Sequence, residues 1–376
     1  MTKKVRRALC VLLAGFGTLT LAVQAVAQDQ AARTFEAELA ARWDALSVPG
    51  LGFAVVTDGS VTEAGGFGVA DAGTGELVTA NTPFRVASLT KPISAALYLN
   101  AVEAGRGNLD MPLREASSRF AKACRPMKAY FVLNKLPYLQ GIPCDDDTIM
   151  VRHVLSHTAP HGEAFAYNGF LFGLLSDEIG DVTVGGGDDN FVRAVRQEII
   201  EPLALGDAAA GIGDAEGQAV VSRLAAPHRR DDGRWVTVPA LTDELNAGAG
   251  FVASAADMAV IDAAYRDDLL APGVWTRMTT PPVLANGKSS PYGMGWFVQV
   301  IGGREVHWHY GHQPGAYSGL WVKDTDNART LIALANGDGL AAGLSLHEGD
   351  LTTSDLAVAF LDWSAKQPRP VTQPAP

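Results

Sequence analysis

The stretch Phe84-Arg85-Val86-Ala87-Ser88-Leu89-Thr90-Lys91-Pro92 decides how the rest of the chain is interpreted. It places Ser88 after an extended segment and at the start of an apolar helix that the pattern predicts to end at Gly105. Lys91 follows one helical turn later on the same face, within reach of the serine hydroxyl. A buried lysine loses its proton more readily than an exposed one, and a serine becomes nucleophilic when a base takes its proton. The four letters alone are weak evidence, because an N-cap serine followed by a surface lysine gives the same pattern.

Strand patterns lie on both sides of a mainly helical middle. Strands from the two ends most simply share one sheet, so the predicted fold class is α/β (α+β): an antiparallel sheet flanked by helices, with an inserted mainly helical lobe. An Asp58-Gly59 turn and a Gly302-Gly303 turn join neighbouring strands. The predicted helices are 35–46, 88–104, 151–156, 170–179, 190–200, 254–265 and 351–364, and the predicted strands are 50–57, 61–70, 294–301, 305–310, 315–322 and 330–335.

Four further motifs follow the Ser88 stretch in order. They are the segment 149–158 (IMVRHVLSHT), Tyr292-Gly293-Met294-Gly295-Trp296, His309-Tyr310-Gly311 and Leu334-Ala335-Asn336-Gly337. With these motifs the chain resembles the serine β-lactamase-like superfamily, which holds class C β-lactamases, D-Ala-D-Ala carboxypeptidases, D-aminopeptidases and related esterases. Several ordered motifs are far more specific than one short pattern.

The resemblance covers about residues 34–364 and implies how the chain is organised. It implies a β-lactamase/transpeptidase-like fold for a hydrolase domain over 28–366. An α/β lobe would take about 34–92 and 241–366, and a helical lobe about 93–240. The cleft between the lobes is then the expected ligand site.

The resemblance also implies the catalytic residues. Ser88 would be the nucleophile and Lys91 its partner. Tyr167-Asn168-Gly169 stands where the family has Y-x-N, so Tyr167 would pass protons between Ser88, Lys91 and the leaving group. Gly169 departs from the motif's asparagine, and the adjacent Asn168 is a possible support for the missing amide.

The third family motif is represented by His309 and Gly311. His309 replaces the lysine of true β-lactamases, and Gly311 allows close approach of a substrate to the strand. The family's oxyanion hole maps to the backbone N–H groups of Ser88 and His312. The His309 ring is expected to face the cleft and to titrate near neutrality. Preference for carboxylated substrates would then grow as the pH falls toward about 6, and efficient β-lactamase activity is in doubt.

Composition excludes several other classes of protein. Among 376 residues, 41 Asp plus Glu stand against 30 Lys plus Arg, a net charge of −11. Such a surface makes nucleic acids and anionic membranes poor partners. The family resemblance implies a small-molecule or peptide substrate. Neither a cofactor nor a metal is predicted, because His307 and His309 on one strand face lack a full ligand set. The sequence does not define an oligomeric state.

The first 27 residues are predicted to be a secretory signal peptide. A basic start is followed by an apolar run and by Ala25-Val26-Ala27, a small-x-small cleavage site. Its removal would leave a charge of −15 and a periplasmic or secreted protein. In that compartment the default for Cys124 and Cys144 is a disulfide, worth roughly 3 kcal/mol, although two free thiols are the alternative. The Pro-rich tail 367–376 is predicted to be disordered.

These features predict an exported serine hydrolase that forms an acyl-enzyme on Ser88. Esters, D-amino-acid peptides or amides, and β-lactams are the substrate classes, with esterase or D-peptidase activity favoured over efficient β-lactamase activity. The alternative is a catalytically weak sensor or binder of cell-wall peptides or penicillins on the same fold, for which the departures at Gly169 and His309 argue.

Overall fold

The computed structural model describes residues 34–239, 242, 244–266 and 268–369. The predicted signal peptide and the end of the predicted tail, 370–376, lie outside the described residues. The start of the tail is held in place, because Arg329 donates a hydrogen bond of 2.6 Å to the carbonyl of Pro368.

Helices and strands follow one another in the predicted order. The helices are α1 (Phe35–Leu46), α2 (Thr90–Glu103), α3 (Leu113–Ala116), α4 (Ser118–Leu133), α5 (Val151–Leu155), α6 (Gly169–Gly173), α7 (Ser176–Val184), α8 (Asn190–Val195), α9 (Gln218–Val221), α10 (Ala255–Ala264), α11 (Val274–Thr279) and α12 (Asp355–Lys366). The strands are β1 (Gly50–Thr57), β2 (Ser60–Asp71), β3 (Glu76–Leu77), β4 (Phe84–Arg85), β5 (His228–Asp231), β6 (Arg234–Thr237), β7 (Val252–Ala253), β8 (Phe297–Ile301), β9 (Arg304–Gln313), β10 (Tyr317–Asp324) and β11 (Arg329–Ala335).

Seven strands form one antiparallel sheet in the order β3-β2-β1-β11-β10-β9-β8. The N-terminal β1 pairs with the C-terminal β11, with Leu51 opposite Ala335. This pairing confirms that strands from the two ends of the chain share a sheet, and the predicted fold class is confirmed. β1 reads as a continuous apolar run because both of its faces are covered.

Each face of the sheet has its own core. On one face, Phe35 of α1 packs edge-to-face on Phe360 of α12, with 5.4 Å between ring centroids. The other face is covered by α2 and α10, whose buried side chains continue into the helical part of the molecule. The site described below lies on this second face, where α2 approaches β9. Within the described residues, no helix combines the length and the apolar character needed to cross a membrane.

Three local predictions were wrong. The predicted helix 170–179 breaks into α6 and α7, because Ser176 Oγ donates to the carbonyl of Gly173 and accepts from the amide of Ala247. The predicted strand 294–301 begins only at β8, because Gly295 adopts a φ of +97° that strands do not use. The middle of the chain also contains the hairpin of β5 and β6, which the helical interpretation omitted.

A disulfide joins Cys124 of α4 to Cys144, with 5.6 Å between their Cα atoms. Two polar contacts accompany it. Lys128 Nζ donates to the carbonyl of Ile142 at 2.7 Å, and Arg125 meets the carboxylate of Asp145 at 2.8 Å. The long helix α4 is therefore fixed to the loop that follows it.

Candidate active site

Ser88 lies on a single 3₁₀ turn, Ala87–Leu89, directly before α2. Ala87 has a φ of +49°, a left-handed conformation that costs a non-glycine residue about 1 kcal/mol or more. Thr90 holds the turn in place, since its hydroxyl donates to the carbonyl of Ala87 at 2.7 Å and accepts from the amide of Phe251 at 3.2 Å. The turn leaves Ser88 partly exposed while its neighbours are buried.

Lys91 contacts Ser88 directly. Its Nζ lies 3.0 Å from Ser88 Oγ and donates to the carbonyl of Gly248 at 2.7 Å. The side chain is fully buried, and this desolvation lowers the pKa of Lys91 from 10.5 to about 7. A substantial fraction of Lys91 is therefore neutral at physiological pH, in the protonation state that accepts a proton from a serine.

Tyr167 completes the group. Its ring centroid is 5.1 Å from Lys91 Nζ, and its buried hydroxyl lies beside the side chain of Ser88. Burial raises the pKa of Tyr167, an effect that the neighbouring Ser88 side chain partly offsets. Because tyrosinate is disfavoured and neutral lysine is accessible, Lys91 is the better base, while Tyr167 stays protonated and can relay a proton only by accepting one as it donates its own.

Asn168 does not support the site in the way that the sequence suggested. Its amide nitrogen donates to the carbonyl of Tyr138 at 2.6 Å, and its amide oxygen caps α6 by accepting from the amide of Leu171. The side chain of a residue adjacent to the motif position points away from Lys91, so the prediction of a supporting role for Asn168 was wrong.

A loop far along the chain supplies the second contact of Lys91. A Cβ added to Gly169 would lie 3.4 Å from Lys91 Nζ, and one added to Gly248 would lie 2.7 Å from the carbonyl oxygen of Gly169. The two glycines therefore let their backbones meet beside the lysine. Sequence reasoning missed Gly248, and the only signal was the run of small residues Asn246-Ala247-Gly248-Ala249-Gly250.

His157 was also missed as a neighbour of the site. Its ring centroid is 4.1 Å from that of Tyr167, and its Nδ1 accepts from the amide of Asn168 at 3.2 Å. The ring is buried, and burial lowers its pKa well below 6.5. His157 therefore packs behind Tyr167 as a neutral ring.

His309 lies near the site but does not titrate as predicted. The ring is completely buried, with its Nδ1 donating to the carbonyl of Tyr310 at 2.8 Å and its Nε2 accepting from the hydroxyl of Tyr292 at 3.1 Å. Burial, reinforced by the nearby Lys91, lowers the pKa of His309 to about 3. The ring is therefore neutral between pH 5 and 8, so the prediction that His309 titrates near neutrality was wrong, and His309 gives no reason to expect a carboxylate preference that grows toward pH 6.

Gly311 brings strand β9 against the turn that carries Ser88. A Cβ at Gly311 would lie 2.2 Å from the carbonyl oxygen of Val86, so only glycine permits this approach. The shared oxyanion hole stays a prediction for the backbone amides of Ser88 and of the following residue, His312. Its side chain points elsewhere and contacts Asp338 at 3.0 Å.

The histidines of β9 do not form a metal site. His307 Nε2 lies 2.8 Å from the carboxylate of Glu305, and its ring packs on Trp275, away from the partners of His309. No cluster of three or more potential metal ligands exists within the part of the chain that the structure describes.

Comparison with protein-family models gives a match over most of the chain. A family model described as Beta-lactamase matches residues 35–348. The chain belongs to the β-lactamase family. Ser88, Lys91, Tyr167 and Gly311 all lie within the matched region.

The chain of this β-lactamase-family protein is similar to hydrolases with different names. The D-aminopeptidase of Brucella anthropi is 27% identical over 318 residues, which cover 78% of the chain and 57% of the relative. The chain thus spans little more than half the length of that curated relative. Two solved structures share the fold: the D-alanine carboxypeptidase AmpC from Burkholderia cenocepacia (15% identity, TM-score 0.62, 90% and 99% of the two chains) and the D-amino acid amidase from Ochrobactrum anthropi SV3 (17%, 0.58, 85% and 96%).

The protonation state of Lys91 predicts how activity depends on pH. The value of kcat/KM for an uncharged ester should rise about tenfold per pH unit below pH 7 and level off above it, because only neutral Lys91 accepts the proton of Ser88. The neighbouring His157 and His309 stay neutral across this range. Initial rates between pH 5.5 and 9 at constant ionic strength measure the profile. A flat profile below pH 7 would exclude Lys91 as the base.

Proposed function

We propose that the chain is a serine hydrolase that works through an acyl-enzyme on Ser88. The contact of 3.0 Å between Ser88 Oγ and Lys91 Nζ, together with the lowered pKa of Lys91, carries this proposal. Lys91 takes the hydroxyl proton as Ser88 Oγ bonds to the substrate carbonyl carbon. As the bond between that carbon and the leaving group breaks, Tyr167 gives its hydroxyl proton to the leaving group and takes up the proton held by Lys91, which becomes neutral again. Water then hydrolyses the acyl-enzyme by the reverse route.

We further propose esters and amides without a carboxylate, including D-amino-acid amides, as the preferred substrates. At the position where the resembling β-lactamases have lysine, His309 is neutral and buried, so it offers no cation for a substrate carboxylate. The names of the aminopeptidase and amidase relatives support amides as one substrate class. β-Lactams, which carry a carboxylate, should be poorer substrates.

Export to the periplasm or the medium is part of the proposal. The basic start, the apolar run and the small-x-small site in residues 1–27 support it. The disulfide between Cys124 and Cys144 also supports it, because such bonds persist in oxidising compartments.

A covalent trap combined with a substrate panel tests the proposed function. An alkyl fluorophosphonate should add one adduct per chain, and peptide mass spectrometry should locate it on Ser88. On a panel of p-nitrophenyl acetate, D-alanine p-nitroanilide, a succinylated counterpart and nitrocefin, kcat/KM should be highest for the uncharged ester and lowest for the anionic compounds. An adduct on another residue would overturn the choice of nucleophile. A preference for the anionic compounds would overturn the substrate class.

A further inference from the structure

An exposed apolar patch lies at the end of α4 and in the turn after it. Five of the ten exposed large apolar side chains in the described part of the chain fall within residues 130–138, and they are between 38% and 82% exposed. The other five are spread over the sequence. A concentration of this kind on an otherwise acidic surface marks a binding surface more often than chance exposure does. The patch consists of Tyr130, Val132, Leu133, Leu136 and Tyr138.

The patch is fixed relative to the rest of the molecule. The disulfide from Cys124 and the contact of Lys128 with the carbonyl of Ile142 fasten α4 within the two helical turns before the patch. At its other end, Tyr138 is held by the hydrogen bond of 2.6 Å that Asn168 donates to its carbonyl. The apolar side chains are therefore presented by a supported segment.

Aromatic contacts connect the patch to the candidate active site. The ring of Phe131 packs edge-to-face on Phe170 at 4.8 Å and on Tyr138 at 5.3 Å between centroids. Phe170 lies in α6, three residues after Tyr167. The patch therefore packs on α6, the helix that begins two residues after Tyr167.

A cavity of about 600 Å³ lies between the patch and Tyr167. Tyr138 and Ile142 line it on the side of the patch, and Tyr167, Gly169 and Leu171 on the side of the site. Among the described residues that line it there is no Asp, Glu, Lys or Arg side chain. A cavity of this size and character suits an uncharged, largely apolar group.

We propose that this cavity and the 130–138 patch form a subsite for an extended apolar leaving group. The inference rests on the proposed function, in which Tyr167 passes a proton to the leaving group. The leaving group must then lie beside Tyr167, which lines the cavity, and a long group would extend through the cavity to Tyr138 on its other side. The substrates are accordingly esters of lipophilic alcohols or amides of lipophilic amines.

Two ester series of increasing chain length test whether the alcohol part or the acyl part of the substrate is recognised. From ethyl to hexyl acetate, kcat/KM should rise about tenfold, because each CH₂ group leaves water in part. From ethyl acetate to ethyl hexanoate, which lengthens the acyl group instead, the rise should be under threefold. A flat alcohol series, or a steeper acyl series, would overturn the subsite. Ester turnover that depends on Ser88 would still leave the proposed function standing, whereas turnover that survives Ser88→Ala would remove both.

Paired surface variants test the location. Leu133→Ser/Leu136→Ser should lower the ratio of kcat/KM for hexyl to ethyl acetate about threefold or more. The matched control Leu77→Ser/Val300→Ser removes two side chains that are 69% and 70% exposed on the edge strands β3 and β8, and should leave the ratio unchanged. Equal ratios in both double variants would overturn the location. Light scattering should give the same molar mass for the wild type and both double variants. A lower mass of the Leu133→Ser/Leu136→Ser protein alone, with an unchanged ratio of kcat/KM for hexyl to ethyl acetate, would instead assign the patch to contacts between copies of the chain.

Discussion

Replacing Ser88 with alanine is expected to lower kcat/KM for an activated ester by about 10⁴-fold or more while the fold stays intact. Ser88 Oγ is the atom that Lys91 Nζ contacts at 3.0 Å, and alanine leaves the lysine with no proton to accept at that position. Since Lys91 keeps its hydrogen bond to the carbonyl of Gly248, the free energy of unfolding of the variant should lie within about 1 kcal/mol of the wild-type value. Hydrolysis rates and urea unfolding measure these two quantities, and intact mass after fluorophosphonate treatment shows whether an adduct still forms.

Ser94→Ala supplies the matched control. Ser94 lies in the same helix and is buried, and its hydroxyl donates to the carbonyl of Thr90. Its removal should change kcat/KM less than threefold and leave the adduct in place. An adduct that forms on Ser88→Ala at the wild-type rate would contradict the role of Ser88.

Much of the fold follows from local pattern. The predicted bounds 35–46 and 50–57 coincide with α1 and β1, where capping, apolar spacing and turn signals agree. The Asp58-Gly59 turn forms with positive φ at both residues, as that dipeptide favours. Errors arose where distant segments intervene. The break between α6 and α7 depends on Ser176 meeting the backbone of Ala247, 71 residues away, and no local pattern encodes that contact.

The candidate site likewise combines features that local pattern predicts with features that depend on distant segments. The pair of Ser88 and Lys91 was predictable because helical spacing alone brings the two side chains together. The second contact of Lys91 was not, because the carbonyl of Gly248 comes from a loop 157 residues later. The neutrality of His309 was not predictable either. It depends on complete burial and on the nearby Lys91, and both arise only when the chain is folded.

Replacing Lys91 with methionine is expected to lower kcat/KM by about 10³-fold. Methionine has a similar unbranched shape and fills the same buried space, but it accepts no proton from Ser88. Tyr167 is a poor substitute base, because burial raises its pKa. Ser88→Ala and Lys91→Met should therefore be far from additive, and the double variant should be little worse than Ser88→Ala alone. Additive losses would indicate that Lys91 acts in a step separate from the activation of Ser88.

The same substitution should alter the dependence of stability on pH. Burial lowers the pKa of Lys91 from 10.5 to about 7, so between these values the unfolded chain binds a proton that the folded chain does not. Wild-type stability from this group therefore rises with pH across that window, and the penalty is largest at pH 7 and below. Lys91→Met removes the penalty. The free energy of unfolding of Lys91→Met minus that of the wild type should therefore fall by about 3 kcal/mol between pH 7 and pH 10. Urea unfolding of both proteins at the two pH values measures this change, and a difference that is independent of pH would show that Lys91 stays charged when the chain folds.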